Sequence, residues 1–339
     1  MKLAKVSVVV PVYNMSRAVC ETVRRLVAQT LRPHEIIVVD DGSTDGTADA
    51  LKIKFFDTKN VVVVSQTNGG PASARNHGIH IATGDYVAFT DGDCLPEREW
   101  LAELLKGFDA REVAGVGGTV RRADDNLVSE YVDSYGIFNP SISDEGLVEC
   151  LVTANACFRR DVLVGAGLFD ERFTQPGGED SELSVRIRSM GYVLRYAPRA
   201  LVLHHHRRSV PAFLKTMHNY GRGSYLLFKL WPEWGWEFNP RVRLIKSAFA
   251  VRNMVRRAAV YRAEFGLKRA IFFTLLEHYG HSAYIWGHLS EGRKQRGLSD
   301  ADSRKVCEPK RAAEASVEVR TTPADNSQTT LNNPVGMME

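Results

Sequence analysis

Tyr86-Val-Ala-Phe-Thr-Asp-Gly-Asp-Cys94 is the stretch around which the rest of the chain arranges itself. Five residues that are β-prone or small and apolar run straight into two aspartates separated by one glycine. In an extended chain residues i and i+2 point the same way, so Asp91 and Asp93 are expected to aim both carboxylates at one point. Gly92 between them allows close approach of backbone or ligand. Hard oxygen ligands in this arrangement suit Mn²⁺ or Mg²⁺, and such ions commonly complete their shell with substrate phosphates.

Working outward, strands and helices alternate on both sides of this stretch. Val6-Ser-Val-Val-Val10 reads as a buried strand ending at Pro11-Val-Tyr-Asn14, with Ser16 as cap of a helix reaching about Gln29. Glu35 to Asp40 is a second strand and Val61 to Val64 a third. Asn68-Gly-Gly-Pro71 forms the turn before a helix over 72–82. Four strand–helix alternations in about 90 residues predict an α/β fold with a mostly parallel sheet flanked by helices. Ligands bind at the carboxyl ends of such strands, where Asn14, Asp40, Asp41, Asn68, Asp91 and Asp93 all fall. A dinucleotide-binding domain is disfavoured, because no glycine-rich turn follows the first strand, and no Walker-type phosphate loop is present.

Further along, strands are expected at Val113 to Val120, Leu151 to Phe158 and Leu201 to Leu203. A helix opens at Gly177-Gly-Glu-Asp180 and runs to about Met190. Asp180 shares a helical face with Leu183, Ile187 and Met190, so it begins an otherwise apolar stripe. A carboxylate there is either a capping acid or a desolvated general base near neutral pH. His204-His-His206 follows the last strand, and one neutral imidazole could complete a metal site begun by carboxylates. Arg207 and Arg208 stand next, suited to clamp a diphosphate or simply to face solvent.

The chain of 339 residues carries a net charge of +4 and an ordinary globular composition, 44% apolar and 25% charged. Between Arg241 and Arg269 nine basic residues face one acid, a local charge of +8 that leaves −4 for the remainder. Such a belt points to an anionic surface, and the absence of a nucleic-acid-binding motif favours membrane over nucleic acid. Leu244, Ala248, Val251, Val255 and Ala258 form a helical apolar stripe between the basic residues, preceded by Trp231, Trp234 and Trp236. The alternative is a helix packed on the rest of the protein with its arginines in solvent. Five cysteines without paired spacing and no signal peptide suggest a cytoplasmic protein, peripheral on the inner face of the plasma membrane. Ile271 to Ser290 is apolar but holds Glu277 and three histidines, which makes it a poor spanning helix.

Val6-Ser-Val-Val-Val-Pro-Val-Tyr-Asn14, Val38-Val-Asp-Asp-Gly-Ser-Thr-Asp-Gly-Thr47, Asn68-Gly-Gly-Pro-Ala-Ser-Ala-Arg-Asn76 and Asp91-Gly-Asp93 together resemble family 2 glycosyltransferases. The similarity continues through Gly167-Leu-Phe-Asp-Glu171, Gly178-Glu-Asp180 and the His204 segment, covering residues 4–215. The resemblance implies a GT-A fold and inverting transfer of one sugar from a nucleotide-diphosphate sugar to an acceptor hydroxyl. The acceptor would be a saccharide or a lipid-linked one, in cell-surface polysaccharide or glycolipid assembly.

Residue by residue, the resemblance puts Asp41, with Asp40 beside it, at the base and ribose; Pro11, Tyr13, Asn14, Asn68, Arg75, Arg207 and Arg208 are expected as further nucleotide-sugar contacts. Asp91 would lie near the ribose and contribute, with Asp93, to the metal site. His204 or His206 would add a metal or phosphate contact; the triplet departs from the family pattern by leaving the match open. Asp180 would be the catalytic base, with Glu179 beside it. Processive members carry a Gln-x-x-Arg-Trp motif and several spanning helices, and neither appears. The implied organisation is a catalytic domain over 1–215 (nucleotide-sugar half 1–110, acceptor half 111–215), a basic helical extension over 216–298 and a disordered tail over 299–339. The competing readings are a nucleotidyltransferase acting on a sugar phosphate, and a non-catalytic nucleotide-binding membrane scaffold. The first lacks its basic glycine-rich loop, and the intact aspartates oppose the second.

Overall fold

Val6 to Val12 offers almost no polar side chain, so it can be stable only with both faces covered. It forms β1 (Val6–Val12) in the interior of the sheet, paired in parallel with β2 on one side and β4 on the other. The computed structural model describes residues 4–234 and 250–296. The first half runs α1 (Val19–Val27), β2 (Glu35–Asp40), α2 (Thr47–Lys54), β3 (Val61–Ser65), α3 (Pro71–Ile81) and β4 (Tyr86–Phe89). The second continues with β5 (Cys94–Pro96), α4 (Trp100–Lys106), β6 (Val113–Arg122), α5 (Leu127–Tyr135), β7 (Leu147–Val148) and β8 (Ala156–Arg159). Next come α6 (Arg160–Gly165), α7 (Glu179–Ser189), β9 (Val193–His204) and α8 (Val210–Leu230), then α9 (Ala250–Phe265) and α10 (Leu267–Arg296).

The strands make one sheet in the order β3-β2-β1-β4-β8-β6-β9-β5, with β7 paired to β9. Its β3-β2-β1-β4 half is parallel, as the alternation of elements requires. The other half is mixed, since β8 runs antiparallel to both β4 and β6 while β6 and β9 are parallel. Only the end of the stretch over 151–158 enters β8; Thr153–Asn155 is a short 3₁₀ turn.

Alternate residues of β1 serve the two faces. Val8 and Val10 pack with Val23, Leu26 and Leu101 of α1 and α4, whereas Val9 joins Ile79, Leu183 and Ile187 of α3 and α7. Each such side chain contributes roughly 1.5–3 kcal/mol when fully buried. A third apolar cluster, with Tyr131, Phe213, Tyr261 and Phe273, joins α5, α8, α9 and α10. There α8 and α10 approach through glycine: a Cβ on Gly221 would stand 1.9 Å from the Tyr284 carbonyl oxygen.

Three local expectations change. Ser16 does not cap α1, which begins at Val19; its N–H donates to Asp45 instead. Met190 lies just past the end of α7 and is exposed, so the apolar stripe there is Leu183 and Ile187 alone. In α9 Val255 is exposed, and the buried anchor is Tyr261. Leu244, Ala248, Trp236 and the segment 299–339 lie outside the described residues, as do the side chains of Trp234 and Val251. Trp231 donates its indole N–H to Glu182, which ties it to α7.

Candidate active site

β4 ends at Phe89, and Asp91 and Asp93 therefore stand not on a strand but on the turn between β4 and β5, closed by Cys94 N–H donating to the Asp91 carbonyl. The alternation argument for their shared direction fails, because the backbone has already left the extended region. Their carboxylates converge through the turn. Thr22 of α1 holds that turn by donating to the carbonyls of Gly92 or Cys94, at 3.0 and 2.7 Å. A Cβ at position 92 would meet Val12 at 2.7 Å, so the glycine is needed for this approach.

β9 runs beside β5, pairing His204 with Cys94, and so delivers the histidines to the same point. Ligand atoms of Asp91, Asp93, Cys94 and His204 all lie within 4.8 Å of one another. His204 Nε2 is 3.4 Å from Asp93, and Arg207 approaches the other Asp93 oxygen at 3.8 Å. Burial works against the Asp93 charge, but His204 and then Arg207 outweigh it and hold the carboxyl below its ordinary value. Burial, then Asp91 and Asp93, push the Cys94 thiol far up, so it stays protonated. The residues that fit a hard divalent ion are thus two carboxylates and one imidazole.

His206 plays a different part from His204. The two rings face each other through Nδ1, 2.6 Å apart, and Phe138 stacks on His206 at 5.1 Å. Burial, reinforced by the charge on His204, lowers His206 to about 3. A neutral His206 can accept the Nδ1–H of His204, which leaves His204 Nε2 free to face Asp93. His205 turns to Asp124, which also receives Arg208 at 2.7 Å.

Asp41, in the loop after β2, is buried with both carboxylate oxygens engaged. It accepts N–H groups from Gly69 and Gly70 at 2.8 and 2.9 Å, plus the Gln66 amide. Asp40 accepts from Ser43 N–H, and Asn14, at φ 52°, accepts from Thr44. These bonds lock the loops following β1, β2 and β3 to one another.

Arg75 of α3 joins the two ends of the site. Its side chain, 5% exposed, donates to Asp91 at 3.1 Å and to Glu179 at 3.0 Å. Its Nε is buried without a hydrogen-bond partner among the described residues. Glu179 also accepts Gly177 N–H at 2.7 Å. Asp180 is partly buried; desolvation, then the neighbouring Glu179 charge, raise its carboxyl to about 7 despite Arg75.

A cavity of about 430 Å³ runs along this constellation. Of the residues singled out in the sequence, Pro11, Tyr13, Asp41, Asn68, Arg75, Asp91, Asp93, His204, His206 and Arg207 line it. Asn14, Asp40, Glu179, Asp180 and Arg208 do not. Sequence reasoning passed over Phe138, which packs beside His204 and His206, and over the α8 residues Phe213, Thr216, Met217, Asn219 and Tyr220, which also line the cavity. The continuous helix α8, crossing residue 215, brings them there. No local signal marks them; only the close approach permitted by Gly223 hints at it. A Cβ there would lie 1.6 Å from the Gly177 carbonyl, so α8 rests directly on the turn that introduces Glu179 and Asp180.

The description "Glycosyl transferase family 2" matches residues 7–164, and "Glycosyl transferase family group 2" matches residues 86–289. The chain belongs to the family 2 glycosyltransferases. Glycosyltransferase AglE of Haloferax volcanii is 30% identical over 233 residues, covering 66% of this chain and 74% of that protein. The pre-mycofactocin glycosyltransferase of Mycobacterium tuberculosis is 34% identical over 224 residues, 64% of this chain and 46% of that longer one.

Among solved structures, the mannosyltransferase PcManGT from Pyrobaculum calidifontis, in complex with GDP-Man and Mn²⁺, superposes with a TM-score of 0.61. Its identity is 22%, over 84% of this chain and 87% of that one. GalNAc-T7 with UDP, GalNAc and Mn²⁺ gives 0.53 at 18% identity, covering 68% and 48%. At such identities the likeness concerns the fold, and that fold is GT-A. As a family member this protein is a glycosyltransferase that draws on a nucleotide-sugar donor. No described helix is long and apolar enough to cross a membrane.

Proposed function

We propose that the enzyme transfers one sugar, with inversion, from a nucleotide-diphosphate sugar to an acceptor hydroxyl. The observation that carries this reading is the convergence of Asp91, Asp93 and His204 on one wall of a cavity that continues to the acceptor-side helix α8. Asp91, Asp93 and His204 are the residues suited to hold Mn²⁺ or Mg²⁺. When bound, the ion supplies positive charge against a departing nucleoside diphosphate. Pro11, Tyr13 and Asn68 border the nucleoside end, and Asp41 keeps the Gly69–Gly70 turn in place beside it. Arg207 adds a cation next to Asp93. Arg75 holds the metal turn and the Glu179–Asp180 turn in fixed relation.

Asp180 is the proposed general base, set outside the cavity lining next to Glu179. Arg75 of the lining contacts Glu179, so the acceptor must reach toward Asp180 past Arg75. The Asp180 carboxyl, raised to about 7, can both exist ionised near neutrality and accept the proton of a poorly acidic hydroxyl. One base is sufficient for direct displacement with inversion, in contrast to the paired carboxylates of retaining glycosidases. The acceptor is proposed to be a saccharide or lipid-linked hydroxyl of cell-surface polysaccharide or glycolipid assembly, met by an enzyme peripheral to an anionic membrane. The domain division proposed places the catalytic residues in 1–215, with α8, which runs on to Leu230, contributing the acceptor wall from both sides of that boundary.

Turnover of a panel of nucleotide sugars with Mn²⁺, in wild type and Asp93→Ala, tests the assignment. The expected outcome is hydrolysis or transfer of at least one donor by wild type, and a loss of a hundredfold or more in Asp93→Ala. Equal turnover by the variant would remove Asp93, and with it the proposed site, from the chemistry.

A further inference from the structure

On α10, Leu267, Ile271, Leu275, Tyr279, Trp286 and Leu289 are each between 43% and 59% exposed. Their spacings of four, four, four, seven and three residues put them on one face, opposite the buried Phe273, Leu276, Gly280, Tyr284 and Gly287. The stripe extends over roughly 33 Å of helix at 1.5 Å per residue. An apolar band of that length facing outward needs an occupant.

Charge decides which one. The exposed positions of α10 include Lys268, Arg293, Lys294 and Arg296, and no acid; Arg269 is exposed as well but pairs with Glu130 of α5. Its two acids turn inward: Glu277 receives Arg257 and Tyr261, and Glu291 receives Arg222 and Gln295. Arg293 also lies over the Trp286 ring, 5.9 Å from its centroid, at the C-terminal end of the stripe. A second copy on this face would set cationic ends against cationic ends in either orientation. A nucleic acid would leave the apolar band uncovered. An anionic lipid surface satisfies both, taking the apolar side chains below the headgroups and the basic ends at phosphate level.

We infer that the outer face of α10 docks on an anionic bilayer, lying in its interface. This places the membrane contact on a helix too polar to span, rather than on the apolar stripe from Leu244 to Ala258 before it. The inference does not depend on the glycosyl-transfer reading.

The test is sedimentation of the full 339-residue chain with phosphatidylcholine vesicles, with and without phosphatidylglycerol, at low and high salt. Wild type should bind the anionic vesicles only, and less at high salt. Ile271→Asp/Leu275→Asp should reduce binding by at least tenfold, and Arg293→Glu/Lys294→Glu should do so as well. Both variants change exposed positions, and circular dichroism with an unchanged melting temperature would confirm that they fold. Depth-dependent quenchers, read as the difference between wild type and Trp286→Phe, should reach Trp286. No binding to anionic vesicles would overturn the proposal. So would binding undiminished in both variants, or Trp286 buried in a vesicle-free dimer. Donor turnover measured without vesicles stands apart from all these outcomes.

Discussion

Asp180 faces two opposed demands. The burial that suits it to take a proton also makes its ionised form a burden on the folded chain. Replacement by Asn should lower kcat by about 10²–10⁴-fold, the usual worth of a positioned base. Wild-type kcat should rise with pH through about 7 and then level off, a limb missing from the variant. Stability should move oppositely. The folded carboxyl is raised above its unfolded value near 3.8, so its stabilising contribution is complete below that value and is lost as pH rises through about 7. Asp180→Asn should therefore melt above wild type at about pH 8, with the gap shrinking at about pH 5. Differential scanning calorimetry reads this directly, and a gap that widens on acidification would count against the assigned shift.

His206 makes a second prediction at this scale. If it only orients His204 through the Nδ1 contact, His206→Ala should weaken Mn²⁺ binding by about 10–100-fold without abolishing it. Isothermal titration with the metal alone checks this, and unchanged affinity would leave His206 without the positioning role.

Between elements, the decisive contact is α8 on the turn before α7. Gly177 and Gly178 have φ of 125° and 100°, a region that side-chain-bearing residues avoid, and Gly223 lets α8 touch that turn. Gly223→Ala should force the two backbones apart, costing roughly 1–3 kcal/mol of stability. It should also reduce kcat by displacing Glu179 and Asp180, while leaving Mn²⁺ affinity near wild type, because Asp91, Asp93 and His204 rest on other elements. Equal losses in both properties would show that the turn and the metal site move together.

The same contact explains what could be read from the chain. β1, β2, β4 and their following loops were legible because burial on both faces imposes unbroken apolar runs, and because rim residues sit next to strand ends. Hidden from the chain, by contrast, is that His204 meets the Asp91–Asp93 turn, through β9 pairing with β5, and that Arg75 spans Asp91 and Glu179, the neighbour of Asp180. Those are long-range pairings with no local period. The reversal of β8 was likewise hidden, since Ala156 to Arg159 looks the same in either direction. Glycines 221 and 223 on α8 carry no pattern that separates close packing from mere weakness in a helix.

For the whole molecule, the consequence is that ligand binding should be felt beyond the sheet. The cavity is lined by the loops after β1, β2 and β3 and by α8, which in turn lies on α10. On the proposed function, a nucleoside diphosphate with Mn²⁺ should bind the native state only and, at a hundred times its dissociation constant, add about 2.7 kcal/mol to stability. Hydrogen exchange gives that increment an address. Slowing is expected at the Asn68–Gly70 turn and the Asp91–Asp93 turn, and also in the first half of α8, where Phe213, Thr216 and Met217 meet the cavity. The exposed end of α10 near Arg296 should exchange as before. Protection confined to the loops would mean that α8 closes the cavity without sensing its contents, and the acceptor wall would then have to be sought elsewhere.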